Sequence, residues 1–307
     1  MSPIGGTFSH ATERGLQTVK VFPDQGSDAA VTPLKPILKW AGGKRQVLPF
    51  IRPLVPGTMN KFIEPFLGGG AVLFDLAPKK AIVNDLNSEL INLYVTIRDE
   101  PLKLISRLKR MTSDSEEYYK IRAWDRDSDK FEQRSNVEKA ARTIYLNRTG
   151  YNGLYRVNSK NQHNVPFGKY VNPKICDSEL IIAMSDFFSK NRIVFKNEDF
   201  RKTIARSGFN DFIYVDPPYA PLDEASSTFT SYTSDGFSLN DLADLKTCLD
   251  EASERGSNWL MSNVKSNATS KLFPRSKYRV VEVSITRPIN SKVSGRGGVT
   301  EILVSPK

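Results

Sequence analysis

Beyond residue 33, short apolar runs alternate with stretches whose apolar residues recur at helical period. The runs 61–64, 81–84, 193–196, 212–215, 258–261, 280–285 and 301–304 predict strands. Residues 71–77 and 88–98 predict helices, and residues 239–255 a longer one, with Ser238 as its cap and Gly256 as its stop. Strands alternating with helices imply an α/β fold with an open, parallel sheet. The last two runs lie close in sequence, which suits an antiparallel edge pair. Between about residues 111 and 191 the rhythm becomes helical, at 116–125, 137–147 and 179–189. These segments bracket a Gly- and Asn-rich stretch, 150–170, that reads as a loop or hairpin. The expected organisation is therefore a flexible arm (1–33), an α/β domain (34–111 and 192–307) and an inserted helical domain (112–191).

Composition narrows this picture. The 307 residues are 39% hydrophobic and 25% charged, as in a globular chain with a sizeable core. No apolar run reaches the length of a membrane span, and the N-terminus lacks a secretory pattern. Two distant cysteines, Cys176 and Cys248, suit a reducing cytoplasm rather than a disulfide scaffold. With only two histidines, a zinc site or a Ser-His-Asp triad is hard to build, so any chemistry must use carboxylates, aromatics, backbone groups or a cofactor. A net charge of +10 points to a phosphate-bearing partner. Residues 140–174 hold Arg142, Arg148, Arg156, Lys160, Lys169 and Lys174 without an acid, and in residues 265–296 Glu282 is the only acid. Two such segments suggest two walls of one groove.

Four motifs carry candidate chemistry. Asp216-Pro217-Pro218-Tyr219 follows the run 212–215 directly, at the strand end where open α/β sheets form their ligand crevice. An exocyclic amine conjugated into a base is a poor nucleophile. A carboxylate from Asp216 and the carbonyl of Pro217 would accept its two N–H groups and free its lone pair. Tyr219 would offer a face on which a flipped base stacks. The plainer reading is a rigid turn after a strand. The second motif runs from Phe62 through Glu64 and Phe66 to Gly68-Gly69-Gly70, a strand entering a glycine turn and a helix. It suits a nucleotide-like ligand or a tight turn, but does not match a P-loop. Asp85, ending the next strand, is placed for ribose hydroxyls or as a helix cap. In Lys39-Trp40-Ala41-Gly42-Gly43-Lys44, Trp40 would pack on a ligand and Lys44 pair with its carboxylate; alternatively both are ordinary packing and surface residues.

Together these residues resemble the Dam-type, D12-class DNA adenine N6-methyltransferases in the α arrangement of motifs, from about residue 34 to the end. The resemblance implies a Rossmann-like methyltransferase sheet of seven strands with a reversed last strand, and S-adenosylmethionine as cofactor. Trp40, Lys44, Asp85 and Asp216 would contact it, with Glu64, Phe66 and Gly68 on its methionine side and Asp199 and Phe200 at its adenine. Catalysis would fall to Asp216, Pro217 and Tyr219. The inserted helical domain would recognise double-stranded DNA, because residues 146–156 and 164–170 resemble the recognition helix and hairpin of Dam enzymes that read GATC. Tyr151 would wedge into the duplex and Asn152 would contact nearby bases. Arg156 would read a guanine, and Arg148, Pro166 and Lys169 would lie against the DNA. Alternatively these cations touch only phosphate. Pro221, Leu222 and residues 229–232 resemble the loop over the flipped base, and 287–300 the basic link before the last strand. No metal and no membrane is implied, and protein partners are unknown. Two further readings remain: a methyltransferase acting on RNA or a protein glutamine, and a DNA-binding module without catalysis.

Overall fold

The run Phe212-Ile213-Tyr214-Val215 is apolar at every position because both of its faces are covered. Phe212 and Tyr214 enter one apolar cluster, Ile213 and Val215 a second. Successive strand residues point to opposite faces, so a strand buried on both sides cannot alternate with polar residues. The computed structural model describes residues 34–40, 42–219, 237–285 and 299–307. The predicted arm, Ala41, the loop residues Pro221, Leu222 and 229–232, and the link up to residue 298 lie outside the described residues.

In chain order the elements are α1 (Leu48–Ile51), β1 (Phe62–Glu64), α2 (Ala71–Leu76), β2 (Lys80–Asn84), α3 (Ser88–Asp99), α4 (Pro101–Leu108), α5 (Ser115–Arg122), α6 (Ser128–Glu132), α7 (Asn136–Thr149), α8 (Ser178–Lys190), β3 (Arg192–Lys196), α9 (Phe200–Ile204), β4 (Phe212–Val215), α10 (Leu239–Glu254), β5 (Asn258–Val264), α11 (Asn267–Leu272), β6 (Tyr278–Ile285) and β7 (Val299–Pro306). All seven predicted strands form, in one sheet of order β3-β2-β1-β4-β5-β7-β6. The pairs from β3 through β5 are parallel. β7 inserts antiparallel between β5 and β6, which is the expected reversed last strand.

One face of the sheet packs on α3 and α8, against which α4 and α7 pack in turn, so that Leu93, Leu104, Tyr145 and Leu180 share a cluster with Phe62 and Val83. The helices of residues 112–191 thus share the core of the α/β part. The other face carries α9 and α10, with Leu242, Leu245 and Leu249 against Trp259 and Met261. Residues 32–307 form one compact unit. Among the described residues no helix is long and apolar enough to cross a membrane.

Local differences from the sequence reading have physical causes. The helix expected over 116–125 stops at Arg122 and tightens into a 3-10 turn, Ala123–Arg126. Residues 150–170 fold back without a ladder, with isolated antiparallel bridges at Gly150–Phe167 and Val157–His163. Side chains hold this loop instead: Tyr118 and Arg122 both donate to the Val165 carbonyl, and Arg126 to that of His163.

Candidate functional site

The sheet runs outward from its centre in both directions, β1-β2-β3 one way and β4-β5 the other, so the strand order reverses between β1 and β4. A crevice opens at the carboxyl ends of strands at such a point. Glu64 ends β1, Asp85 follows β2, Asp199 follows β3 and Asp216 follows β4. Four carboxylates from four adjacent parallel strands therefore converge on one end of the sheet.

The turn after β1 is built by its neighbours. Asn84 donates Nδ2 to the carbonyls of Pro65 (3.0 Å) and Glu198 (2.9 Å), tying the ends of β1, β2 and β3 together. The Leu67 amide donates to the Asn84 carbonyl (2.8 Å). Gly68 and Gly70 have φ of +48° and +70°, a region favourable mainly to glycine. A Cβ on Gly68 would lie 2.9 Å from Trp40 Cδ1, so the Trp40 indole lies directly against the turn. Asp85 accepts from the Gly68 amide through Oδ2 and from the Asn87 amide through Oδ1, both at 2.9 Å. The cap of α3 is Asn87, not Asp85. Tyr94 Oη donates to the Gly68 carbonyl (3.1 Å).

Lys44 is the buried cation of the site, 4% exposed. Its Nζ lies 3.0 Å from Asp216 Oδ1 and 3.5 Å from Glu301 Oε1, and donates to the Gly42 carbonyl (3.2 Å). Ser262 Oγ also donates to Asp216 Oδ1 (3.0 Å) and accepts from Tyr214 Oη (3.1 Å). Both contacts hold the same oxygen, and neither takes Oδ2. Tyr219 Oη donates to Glu301 Oε1 (3.0 Å), and Lys44 lies 5.7 Å from the centre of the Tyr219 ring.

Burial opposes the ammonium of Lys44, but the facing charges, Asp216 first, outweigh it and raise its pKa. Burial pushes the Asp216 carboxyl up, and Lys44 opposes that rise. With an ammonium at 3.0 Å, we take the pair as ionised. Burial, with Asp216 next, lifts Glu64 well above the carboxylate range, and its Oε2 has no hydrogen-bond partner among the described residues. Burial likewise raises Asp85, offset by the two amides it accepts.

The remaining predicted residues fall in two groups. Phe66 and Phe200 pack at 5.3 Å with Phe237 alongside. Asp199 caps α9 through the Arg201 amide and pairs with the Arg201 guanidinium. Pro217 is buried. In the loop after α7, Tyr151, Asn152, Arg156, Pro166 and Lys169 are all exposed, with positive φ at Asn152 and Lys169. Arg156 Nε donates to Asn164 Oδ1 (2.7 Å). Arg148 is half-buried beneath them and donates to the Ile37 carbonyl (2.7 Å).

The basic segments are less free than their composition suggests. Arg142 is buried between Glu89 and Asp125, and Lys174 pairs with Asp177. Lys265 and Arg275 both pair with Glu282.

Sequence reasoning missed three groups. Glu301 and Ser262 hold Lys44, Tyr219 and Asp216 from β7 and β5. The Tyr155 ring packs, tilted by 31°, with its centre 5.2 Å from that of Trp40, which brings the loop after α7 against the glycine turn. Asn147 donates to the carbonyls of Lys39 and Gly153 and accepts from the Lys39 amide, all at 2.8 Å. A lone acid opening the apolar run 301–304 was the one available signal for Glu301.

Comparison with known proteins adds a family. The model of the D12 class N6 adenine-specific DNA methyltransferases matches residues 40–288. The chain is 46% identical over 274 residues to the Type II methyltransferase M1.LlaDCHI of Lactococcus lactis subsp. cremoris, covering 89% of this chain and 95% of the relative. It is 36% identical to the Type II methyltransferase M.MjaIII of Methanocaldococcus jannaschii, covering 88% of this chain and 98% of the relative. Its identity to the DNA adenine methylase of Escherichia coli K12 is 34%, covering 87% of this chain and 93% of the relative.

Proposed function

The chain belongs to the D12 class of N6 adenine-specific DNA methyltransferases, and on that footing we propose that it moves a methyl group from S-adenosylmethionine to N6 of an adenine flipped out of duplex DNA, within GATC. Adenine in DNA, the family's substrate, takes the place of the RNA and glutamine readings that the tetrapeptide alone left open.

The residues present fit such a donor. The Gly68 turn leaves no room for a side chain beside Trp40. Among the described residues, Asp216 and Glu301 share the buried Lys44 ammonium, Asp85 accepts only from the Gly68 and Asn87 amides, and Glu64 Oε2 is buried without a partner. A site with surplus buried carboxylate suits a cationic ligand. Trp40, Lys44, Glu64, Phe66, Gly68, Asp85, Asp199 and Phe200 would hold it. When bound, S-adenosylmethionine supplies an activated methyl group.

The observation that carries the reading is the fixing of Asp216 at the tip of β4 through Oδ1, which takes both Lys44 and Ser262 among the described residues. Lys44 keeps the carboxylate ionised against its burial, and Ser262 fixes its rotation. Oδ2 and the Pro217 carbonyl would then accept the two N–H groups of the target amine. A flipped base stacked on Tyr219 would gain about 1–3 kcal/mol, offsetting much of its unstacking. Positioning of this kind contributes up to about 7–11 kcal/mol to a bimolecular transfer. The exposed residues Tyr151, Asn152, Arg156, Pro166 and Lys169 form the surface proposed to meet the duplex, with Arg148 at its base.

Sequencing of plasmid DNA for N6-methyladenine, after expression in a host without adenine methylation, tests this reading. Modification confined to GATC is expected. Asp216→Ala should leave the DNA unmodified while retaining most of its DNA affinity in a binding titration. Unmodified adenines with the wild type, or turnover by Asp216→Ala, would overturn it.

A further inference from the structure

β7 lies between β5 and β6 and carries the apolar run Ile302-Leu303-Val304, yet the residue just before that run, Glu301, is a carboxylate only 2% exposed. Nothing in sheet packing requires an acid there. Glu301 stands opposite Val264 of β5 and Val283 of β6, so two ladders fix its position. Ser262 stands opposite Leu303, two residues along from Glu301. By the two-residue period of a strand, Ser262 and Glu301 point to the same face. Two neighbouring strands therefore send one polar group each to the tip of β4. Ser262 reaches Asp216, while Glu301 reaches Tyr219 Oη (3.0 Å) and Lys44 Nζ (3.5 Å).

Resting on the function proposed above, we propose that Glu301 is a positioning residue for methyl transfer, setting the Tyr219 ring and sharing the Lys44 ammonium with Asp216. A tyrosine ring held only at Cβ can swing and tilt. A hydroxyl bonded to a strand-fixed carboxylate pins the ring at its far end. The surface on which a flipped base stacks is then rigid before the base arrives. The same oxygen, Oε1, lies 3.5 Å from Lys44 Nζ, which Asp216 Oδ1 meets at 3.0 Å, so the ammonium is located by one carboxylate on β7 and one at the tip of β4. The reversed strand is thereby part of the site as well as of the sheet.

The test uses the full chain with two duplexes, one carrying adenine at the target position for turnover and one carrying 2-aminopurine there, which has no N6 to methylate and reports only the extrusion of the base. Glu301→Ala is expected to lower kcat by about 10- to 100-fold. Affinities for S-adenosylmethionine and DNA should stay within about threefold, and the 2-aminopurine signal should change on binding. Glu301→Gln keeps an oxygen for Tyr219 but loses the charge facing Lys44, so its kcat should lie between those of Ala and wild type. Tyr219→Phe combined with Glu301→Ala should be no worse than Glu301→Ala by more than about twofold, because the bond that Tyr219→Phe removes is already lost in Glu301→Ala. Wild-type kcat and 2-aminopurine signal in Glu301→Ala would overturn the inference. So would full wild-type kcat in a folded Glu301→Gln if Glu301→Ala does not fold. A wild type that methylates no adenine removes the proposed function, and this inference with it. Active wild type beside an equally active Glu301→Ala removes this inference alone.

Discussion

At Gly68 a single missing Cβ decides whether Trp40 can close on the glycine turn. With φ at +48° and an indole carbon 2.9 Å from where a Cβ would stand, Gly68→Ala strains the backbone and displaces the ring together. It should weaken S-adenosylmethionine binding at least about tenfold by calorimetric titration while the fold survives, since the position costs only about 1–3 kcal/mol of strain. His163 makes a different prediction. It is buried beside Arg142, Arg122 and Arg126, and burial first, then those cations, lowers its pKa to about 3. The unfolded chain therefore takes up a proton near pH 6.5 that the folded chain refuses. Stability from this group is complete above about pH 6.5 and is lost as pH falls toward about 3, with a slope approaching about 1.4 kcal/mol per unit. Glu64 acts in the opposite sense, because a raised carboxyl favours the folded state below its unfolded pKa and loses that advantage as pH rises. Comparing wild type with His163→Gln isolates the first effect. The stability difference measured by urea denaturation should narrow from about pH 7 to about pH 4, and a constant difference would mean that His163 titrates normally. At this scale the sequence displayed Trp40, Lys44, Asp85 and Asp216, because each sits in a short motif. It hid Glu301, whose partner Tyr219 is 82 residues away.

Among the elements, α7 does most to join the two sets of predicted residues. Asn147, in its last turn, is 4% exposed and bonds both sides of Lys39 and the Gly153 carbonyl. Lys39 precedes Trp40, and Gly153 lies between Asn152 and Arg156. One amide therefore fixes the segment entering the cofactor residues to the loop proposed to meet DNA. Asn147→Ala leaves several backbone groups unmatched and should cost at least about 2 kcal/mol by denaturant titration. It should also weaken both S-adenosylmethionine and DNA binding. Weakening of only one would show that the two segments move independently. Strands buried on both faces were legible as unbroken apolar runs, and α10 through the reciprocal cap of Ser238 and Asp241. The helices α1, α6, α9 and α11 span four to six residues, too short to display a helical period. In α4, Pro101 begins a helix with only Glu100, the cap of both, between it and the end of α3 at Asp99, which conceals the boundary. The loop at 150–170 was legible as a reversal but not in detail, since distant side chains rather than strand pairing shape it.

For the whole molecule, net charge is a poor guide to how many cations meet phosphate. The chain carries +10, but Arg142, Lys265 and Arg275 are already paired within the fold. Arg142→Ala should therefore destabilise the protein by about 3–5 kcal/mol, because Glu89 loses its cation and Asp125 is left with Arg126 and the His163 amide, and should alter DNA binding only indirectly. The exposed residues behave differently, and salt separates their roles. If Lys169 touches a phosphate, Lys169→Ala should reduce the slope of log affinity against log salt by about one and weaken all sequences alike. If Arg156 reads a base, held in place by Asn164, Arg156→Ala should cost about 1–3 kcal/mol on GATC and little elsewhere. An Arg156 variant weakened equally on every duplex would instead mark a phosphate contact, and sequence choice would then have to come from Tyr151 and Asn152.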